Sequence, residues 1–181
     1  CVAKRMLDEA VSQLCEVSWM FVKNPGSDFT RNRKLPFRKI ISFLLAMEGG
    51  SLSNEMLKHF GCSADIASSS AFVQQRNKIN ADAFPSLFDL FVRKIDKEKL
   101  YKGYRLIAAD GSDIHIPTDP DDQASYFPGS DKQSAYNIVH LDAMYDLLQR
   151  TYLDVNLDGK RNANECSALC SMVDRSSFCN A

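Results

Sequence analysis

No pair of cysteines in this sequence takes the CxxC spacing, although six are present: Cys1, Cys15, Cys62, Cys166, Cys170 and Cys179. That removes the usual signature of a zinc ribbon or a dithiol redox centre. Cys166 and Cys170 stand i,i+4 on an expected helix, and His59 precedes Cys62 by three residues. Both are read as small buried hydrophobes rather than ligands. No apolar run approaches the roughly 18 residues of a membrane span, and no secretory apolar segment precedes the first helical stretch. The expectation is a reduced, cytoplasmic chain with no membrane partner. An excess of one charge is missing too, the formal net charge being −1. What is present is ordinary globular composition, 45% hydrophobic and 25% charged residues, enough to build a core and to exclude disorder.

The near-zero net charge hides a split. Residues 1–105 carry 17 Lys and Arg against 11 Asp and Glu, whereas residues 106–181 carry 5 against 12. A basic first part suits phosphates, and an acidic second part with Asp at strand ends suits divalent cations. The chain opens on Cys1 rather than Met and closes on "SSFCNA" just after a helical stretch. It therefore reads as the front portion of a longer protein.

Residues 1–100 read as all-helical. Met6, Leu7, Ala10, Val11, Leu14, Val17 and Phe21 form a stripe from Val2 to about Lys23, stopped by Asn24-Pro25-Gly26. The basic loop "FTRNRKLPFRK" follows. Pro36 can take the first turn of the next helix, whose Ile40, Ile41, Phe43, Leu44, Leu45 and Met47 are apolar on most sides and so mark the core. In "SLSNEMLKHFG", Ser53 is the expected N-cap, Leu52 and Leu57 a hydrophobic staple, and Gly61 the stop. A polar turn then leads to "ASSSAFVQQRNKI", whose serines can cap a helix exposing Gln74, Gln75, Arg76, Asn77 and Lys78. Helix, turn, helix is a pattern whose second helix can enter the major groove, where Gln and Asn pair with adenine edges and Arg with guanine. The candidate DNA contacts are Arg31, Arg33, Lys34, Arg38, Lys39, Gln74, Gln75, Arg76 and Lys78. One more helix, from Ala81 to about Glu98, carries Phe84, Leu87, Phe88, Phe91, Val92 and Ile95 at helical spacing.

Over residues 101–181 the periodicity changes. Leu106 to Ala109 is a continuous apolar run, which predicts a central strand buried on both faces that delivers Asp110 to its C-terminal edge, with a turn at Gly-Ser. A loop, "PTDPDDQASYFPGSDKQ", comes next. "SAYNIVHLDAMYDLLQRTYLDVNLD" predicts two long strands joined near Asp146. "NANECSALCSMVDR" predicts a helix with Asn162 and Glu165 in capping-box spacing and Cys166, Leu169, Cys170 and Val173 on one face.

Residues 154–165, "DVNLDGKRNANE", fit the calcium loop of an EF-hand, with Asp154, Asn156, Asp158 and Glu165 as ligands. Against this, Arg161 stands where paired loops carry an aliphatic residue, Lys160 and Arg161 add positive charge, and no second loop is visible. A polar strand-to-helix turn is the favoured reading, with a calcium-binding module as the alternative.

The helical basic part, then "YRLIAADGSDIHIP", "YFPGS", "YNIVHLDAMYDLLQRTYLDV" and "NECSALCSMVDRS", resembles bacterial insertion-sequence transposases of the DDE type, the insertion-sequence-four group. The resemblance runs from about "LCEVSWMFVKNPGSDFTRNRKLPF" to Arg175. It implies an α+β chain: a helical DNA-binding domain over 1–100, then over 101–181 the first three strands and first helix of an incomplete ribonuclease H-like domain. Complete members cleave DNA and transfer strands, using three carboxylates that hold two Mg²⁺ or Mn²⁺ ions. The first carboxylate ends the first strand, which corresponds to Asp110 as catalytic and metal-binding residue. The second Asp, within a D-R-G-Y-like stretch, and the distant Glu have no counterpart here. The expectations are DNA (transposon ends) as partner, a homodimer or larger assembly, no tightly bound metal, and no cleavage by this chain alone. A remnant without activity is the further alternative.

Overall fold

The computed structural model describes residues 2–31, 33–61, 66–97, 99–130 and 133–176. The fold is mixed α+β and divides into two compact units, Cys1–Ile95 and Asp96–Ala181.

The first unit is helical: α1 (Val2–Glu16), α2 (Phe37–Ala46), α3 (Leu52–Phe60), α4 (Ser69–Arg76) and α5 (Ala83–Ile95), with a short 3-10 turn at Ser18–Phe21. The apolar stripe of α1 buries Ala10, Val11 and Leu14 against α5, where Leu87 faces it, and against Phe37 and Ile41 of α2. On its other side α2 sends Ile40 and Phe43 into a second cluster with Met56 of α3 and Phe72 of α4. The Phe43 and Phe72 rings meet edge to face at 4.9 Å. Helix α2 is thus shared by both clusters, as its near-continuous apolar surface predicts.

Some ends differ from expectation. Helix α1 stops at Glu16 rather than Lys23; in the 3-10 turn that follows, Phe21 still packs on the first cluster, whereas Val17 before it is exposed. The cap of α3 is Ser51, not Ser53, whose hydroxyl instead meets that of Ser69 at 3.0 Å. The Ser51 side chain makes no capping bond, and Glu55 turns back to accept from the Gly50 backbone N–H at 2.8 Å, which ties the entering chain to the first turn. Gly61 stops α3 at φ +83, a left-handed conformation open to glycine at little cost. Ser68 caps α4 as expected, accepting from Ala71 N–H at 3.2 Å.

The second unit is a four-stranded antiparallel sheet with one helix: β1 (Ile107–Ile116), β2 (Tyr126–Phe127), β3 (Tyr136–Asp146), β4 (Thr151–Gly159) and α6 (Glu165–Arg175). Strand β3 is central, pairing β1 on one side and both β2 and β4 on the other. The expected hairpin is present, turning after Asp146. The first strand is not as expected: it neither stops at Asp110 nor turns at Gly-Ser, but continues to Ile116. Nor is it a central strand buried on both faces: among the described residues it pairs with β3 alone, and none of its residues is fully buried.

Helix α6 covers one face of the sheet. It buries Ala168 and Met172, with Met172 against Met144 and Leu153. Cys166 and Cys170 are exposed, which corrects their reading as buried hydrophobes, and Leu169 is exposed as well. The stripe that wins contains the long Met172 and the small Ala168, which together permit close approach to the sheet. The cap is Asn164, accepting from Ser167 N–H at 3.0 Å, rather than Asn162.

Candidate nucleic-acid interface and an acidic pocket

In the helical unit, the basic loop is fastened to the end of α4. Asp28, only 8% exposed, accepts from the backbone N–H and side-chain amide of Asn24 and pairs with Lys78 Nζ at 3.5 Å. Lys23 N–H donates to the Lys78 carbonyl at 2.9 Å, beside an isolated bridge between Val22 and Ile79. These ties bring two sequence-distant candidates together: Arg31 and Arg33 of the loop and Gln75 and Lys78 line one cavity of about 260 Å³. A wider groove of about 590 Å³ continues past Arg33 and Lys34 to Ser68 and Ala71 at the start of α4.

The remaining candidates are not gathered there. Arg38 reaches α1 instead, donating to Ser12 Oγ at 2.7 Å. Lys39, Gln74 and Arg76 are exposed but border neither cavity. Lys78 is half-buried and spends its charge on Asp28, so its role is to position the loop.

In the second unit, the β1–β3 register sets Asp113 opposite His140 and Gly111 opposite Asp142. Alternation along β3 places His140, Asp142, Met144 and Asp146 on the same strand face, and all four are buried. His140 Nδ1 lies 2.6 Å from Asp113 Oδ1, to which Lys160 Nζ also binds at 2.8 Å. Hydrogen bonds from Lys160 and then His140 hold the Asp113 carboxyl below the usual carboxylate range. His140 Nε2 faces Asp142 Oδ1 at 3.4 Å and Glu165 Oε1 at 3.5 Å. Neither contact has hydrogen-bond geometry, so His140 Nε2 is buried without a hydrogen-bond partner; the other oxygen of Asp142, Oδ2, is likewise buried without one. Next to them a cavity of about 200 Å³ is lined by Asp142, Glu165, Cys166, Leu169 and Met172, with Asp110 and Gly111 on its β1 side.

No protein-family model, curated protein or solved structure matches this chain. Its chemistry is therefore argued from its own geometry.

Asp110 borders the cavity, but it pairs with Ala143, so the pleat assigns it to the sheet face opposite Gly111 and Asp142. Its Oδ1 accepts from Gly111 N–H at 2.9 Å. Among the described residues, no three His, Cys, Asp or Glu side chains are grouped so as to hold a metal ion. The calcium-loop pattern is overturned. Asp154, Asn156 and Asp158 lie in β4, paired with Met144, Asp142 and His140. Same-face residues of a strand stand roughly 6.6 Å apart, so they cannot wrap one ion, and Asp154 is paired with Arg175 instead. His140 and Asp142 were missed by sequence reasoning. The signal was the i,i+2 spacing of His140, Asp142, Met144 and Asp146 within a recognisable strand. Among the described residues, no helix is long and apolar enough to cross a membrane.

Proposed function

We propose that this chain is a DNA-binding front portion of a DDE-type transposase of the insertion-sequence-four group. The observation that carries the reading is the convergence of the loop cations Arg31, Arg33 and Lys34 with Gln75 on the cavity and groove beside α4. Arginine and lysine there neutralise phosphates, while the exposed surface of α4, preceded by α3, offers Gln74 and Arg76 to base edges.

Two features support the ribonuclease H-like part of the reading. Three long strands run antiparallel in the order β1-β3-β4, and a helix follows them. The additional two-residue β2 gives the sheet a strand order that is not typical of such domains. Within this reading Asp110 is the first metal-binding carboxylate, and Mg²⁺ or Mn²⁺ would supply charge neutralisation at a phosphodiester. Hard oxygen donors suit these ions. Without the later carboxylates this chain contributes DNA binding rather than strand cleavage, and DNA at transposon ends is its partner.

Fluorescence anisotropy of a labelled duplex, titrated with the full chain between about 50 and 200 mM salt, tests this. The expected result is affinity that falls steeply with salt. Affinity that stays flat, or no binding at the lowest salt, would refute the proposal.

A further inference from the structure

We infer that Asp142 and Glu165 form a seat for a hydrated divalent cation, Mg²⁺ or Mn²⁺, in the cavity between β1, β3 and the first turn of α6. The starting point is an electrostatic deficit. Asp142 is 4% exposed, and its Oδ2 has no hydrogen-bond partner. A buried carboxylate oxygen without a donor is costly, and such groups in folded proteins are nearly always satisfied. The imidazole next to it does not supply the missing donor, because His140 Nε2 is itself without a hydrogen-bond partner.

Both orphan atoms belong to a cluster that converges from three elements. Glu165 opens α6 at the mouth of the cavity, its side chain 73% exposed and its Oε1 3.5 Å from His140 Nε2. Asp113 fixes the far side of the ring through the 2.6 Å contact to Nδ1, the carboxylate–imidazole arrangement that orients histidines beside metals. On β1, Gly111 keeps the approach open. A Cβ there would stand 2.5 Å from His140 Nε2 and 3.1 Å from Asp142 Oδ1, so any side chain would intrude on the cluster.

The arrangement also selects the class of ion. No three protein ligands are grouped for a metal among the described residues, which disfavours an ion that demands a full protein shell, such as structural Zn²⁺. Mg²⁺ keeps several waters and is commonly held by one or two carboxylates. The cavity of about 200 Å³ has room for that water. The seat is built on Asp142 and Glu165 rather than on Asp110, which borders the same cavity from the opposite face of β1. It lies in the other unit from the proposed DNA surface, so the two proposals stand independently.

The test is a Mn²⁺ titration of the full chain followed by the electron paramagnetic resonance signal of free Mn²⁺, with DNA binding measured separately in metal-free buffer. One site is expected, weakened by about tenfold or more in Asp142→Asn and Glu165→Gln, since even outer partners of a metal cost 10–100-fold when lost. Circular dichroism reports whether Asp142→Asn folds. If it does not, Glu165→Gln decides, because that side chain is largely exposed at a helix start. Absence of Mn²⁺ binding at millimolar concentration, or unchanged binding in Glu165→Gln, would each overturn the inference.

Discussion

Arg105 Nε donates to Asp146 Oδ2 at 2.8 Å, while its two terminal nitrogens donate to Asp96 at 3.1 and 2.8 Å. Asp146 has no exposed surface, and its Oδ1 accepts from the Leu148 and Gln149 backbone N–H groups at 2.9 and 2.8 Å. One carboxylate thus shapes the β3–β4 turn and anchors the segment that enters β1. Arg105→Ala would leave a buried charge without its cation, a loss of about 3–5 kcal/mol. Urea unfolding of the two proteins gives the difference, and a change under about 1 kcal/mol would show the pair to be no more than a surface contact.

Acid should act on the same residue. Burial raises the Asp146 pKa, but hydrogen bonds from Gln149, Arg105 and Leu148 outweigh it and hold the carboxyl below the usual carboxylate range. A depressed folded-state pKa contributes stability that is complete above the unfolded value and is lost as pH falls through the folded one. Melting temperature should therefore fall with pH below about 4, and Asp146→Asn should flatten that fall. An equally steep decline in the variant would place the acid sensitivity elsewhere.

The cavity divides the nine candidate DNA contacts into unequal groups. Arg31→Ala and Arg33→Ala should weaken binding about equally on all duplexes, each lowering the salt slope by about 1. Arg38→Ala should have little effect, because its guanidinium is engaged by Ser12 on α1. A larger effect at Arg38 than at Arg33 would move the DNA surface to the other side of α2.

On the proposed transposase reading, the chain alone should not cleave DNA in Mn²⁺, since Asp110 by itself would hold a metal only weakly. Supercoiled plasmid incubated with the purified chain should stay intact. Nicking that disappears in Asp110→Ala would overturn that expectation.

Much of the helical unit was legible because its signals are local. Ser68, Gly61 and the apolar surface of α2 each act within one or two turns of helix. Ser53 was misread as a cap because Ser51, two residues earlier, has the same chemistry, and the choice depends on Glu55 folding back onto Gly50. The sheet was legible in its hairpin, where the turn residues sit between two runs of β-forming side chains. It was not legible in β1, since an apolar run does not report how many neighbours a strand has. The acidic pocket depends on register across β1 and β3 and on which stripe of α6 faces the sheet. Two apolar stripes compete on that helix, and the winner is set by Met144 and Leu153 on distant strands.

The ladder between β3 and β4 shifts between Met144 and Tyr145: Met144 pairs with Asp154 and Tyr145 with Tyr152, so Leu153 is the extra residue of a bulge. Leu153, Val155 and Leu157 alternate in sequence as if destined for one face, yet Leu153 joins Met144 and Met172 beneath α6 while Leu157 is exposed. The pleat of β4 changes phase once. Deleting Leu153 would restore an unbroken ladder and keep every other pairing, removing one core side chain. Deleting Val155 instead would throw Asp154 out of step with Asn156 and Asp158. Two codons of one strand, two positions apart, thus differ in what their loss would do, one opening a cavity and the other reversing a face.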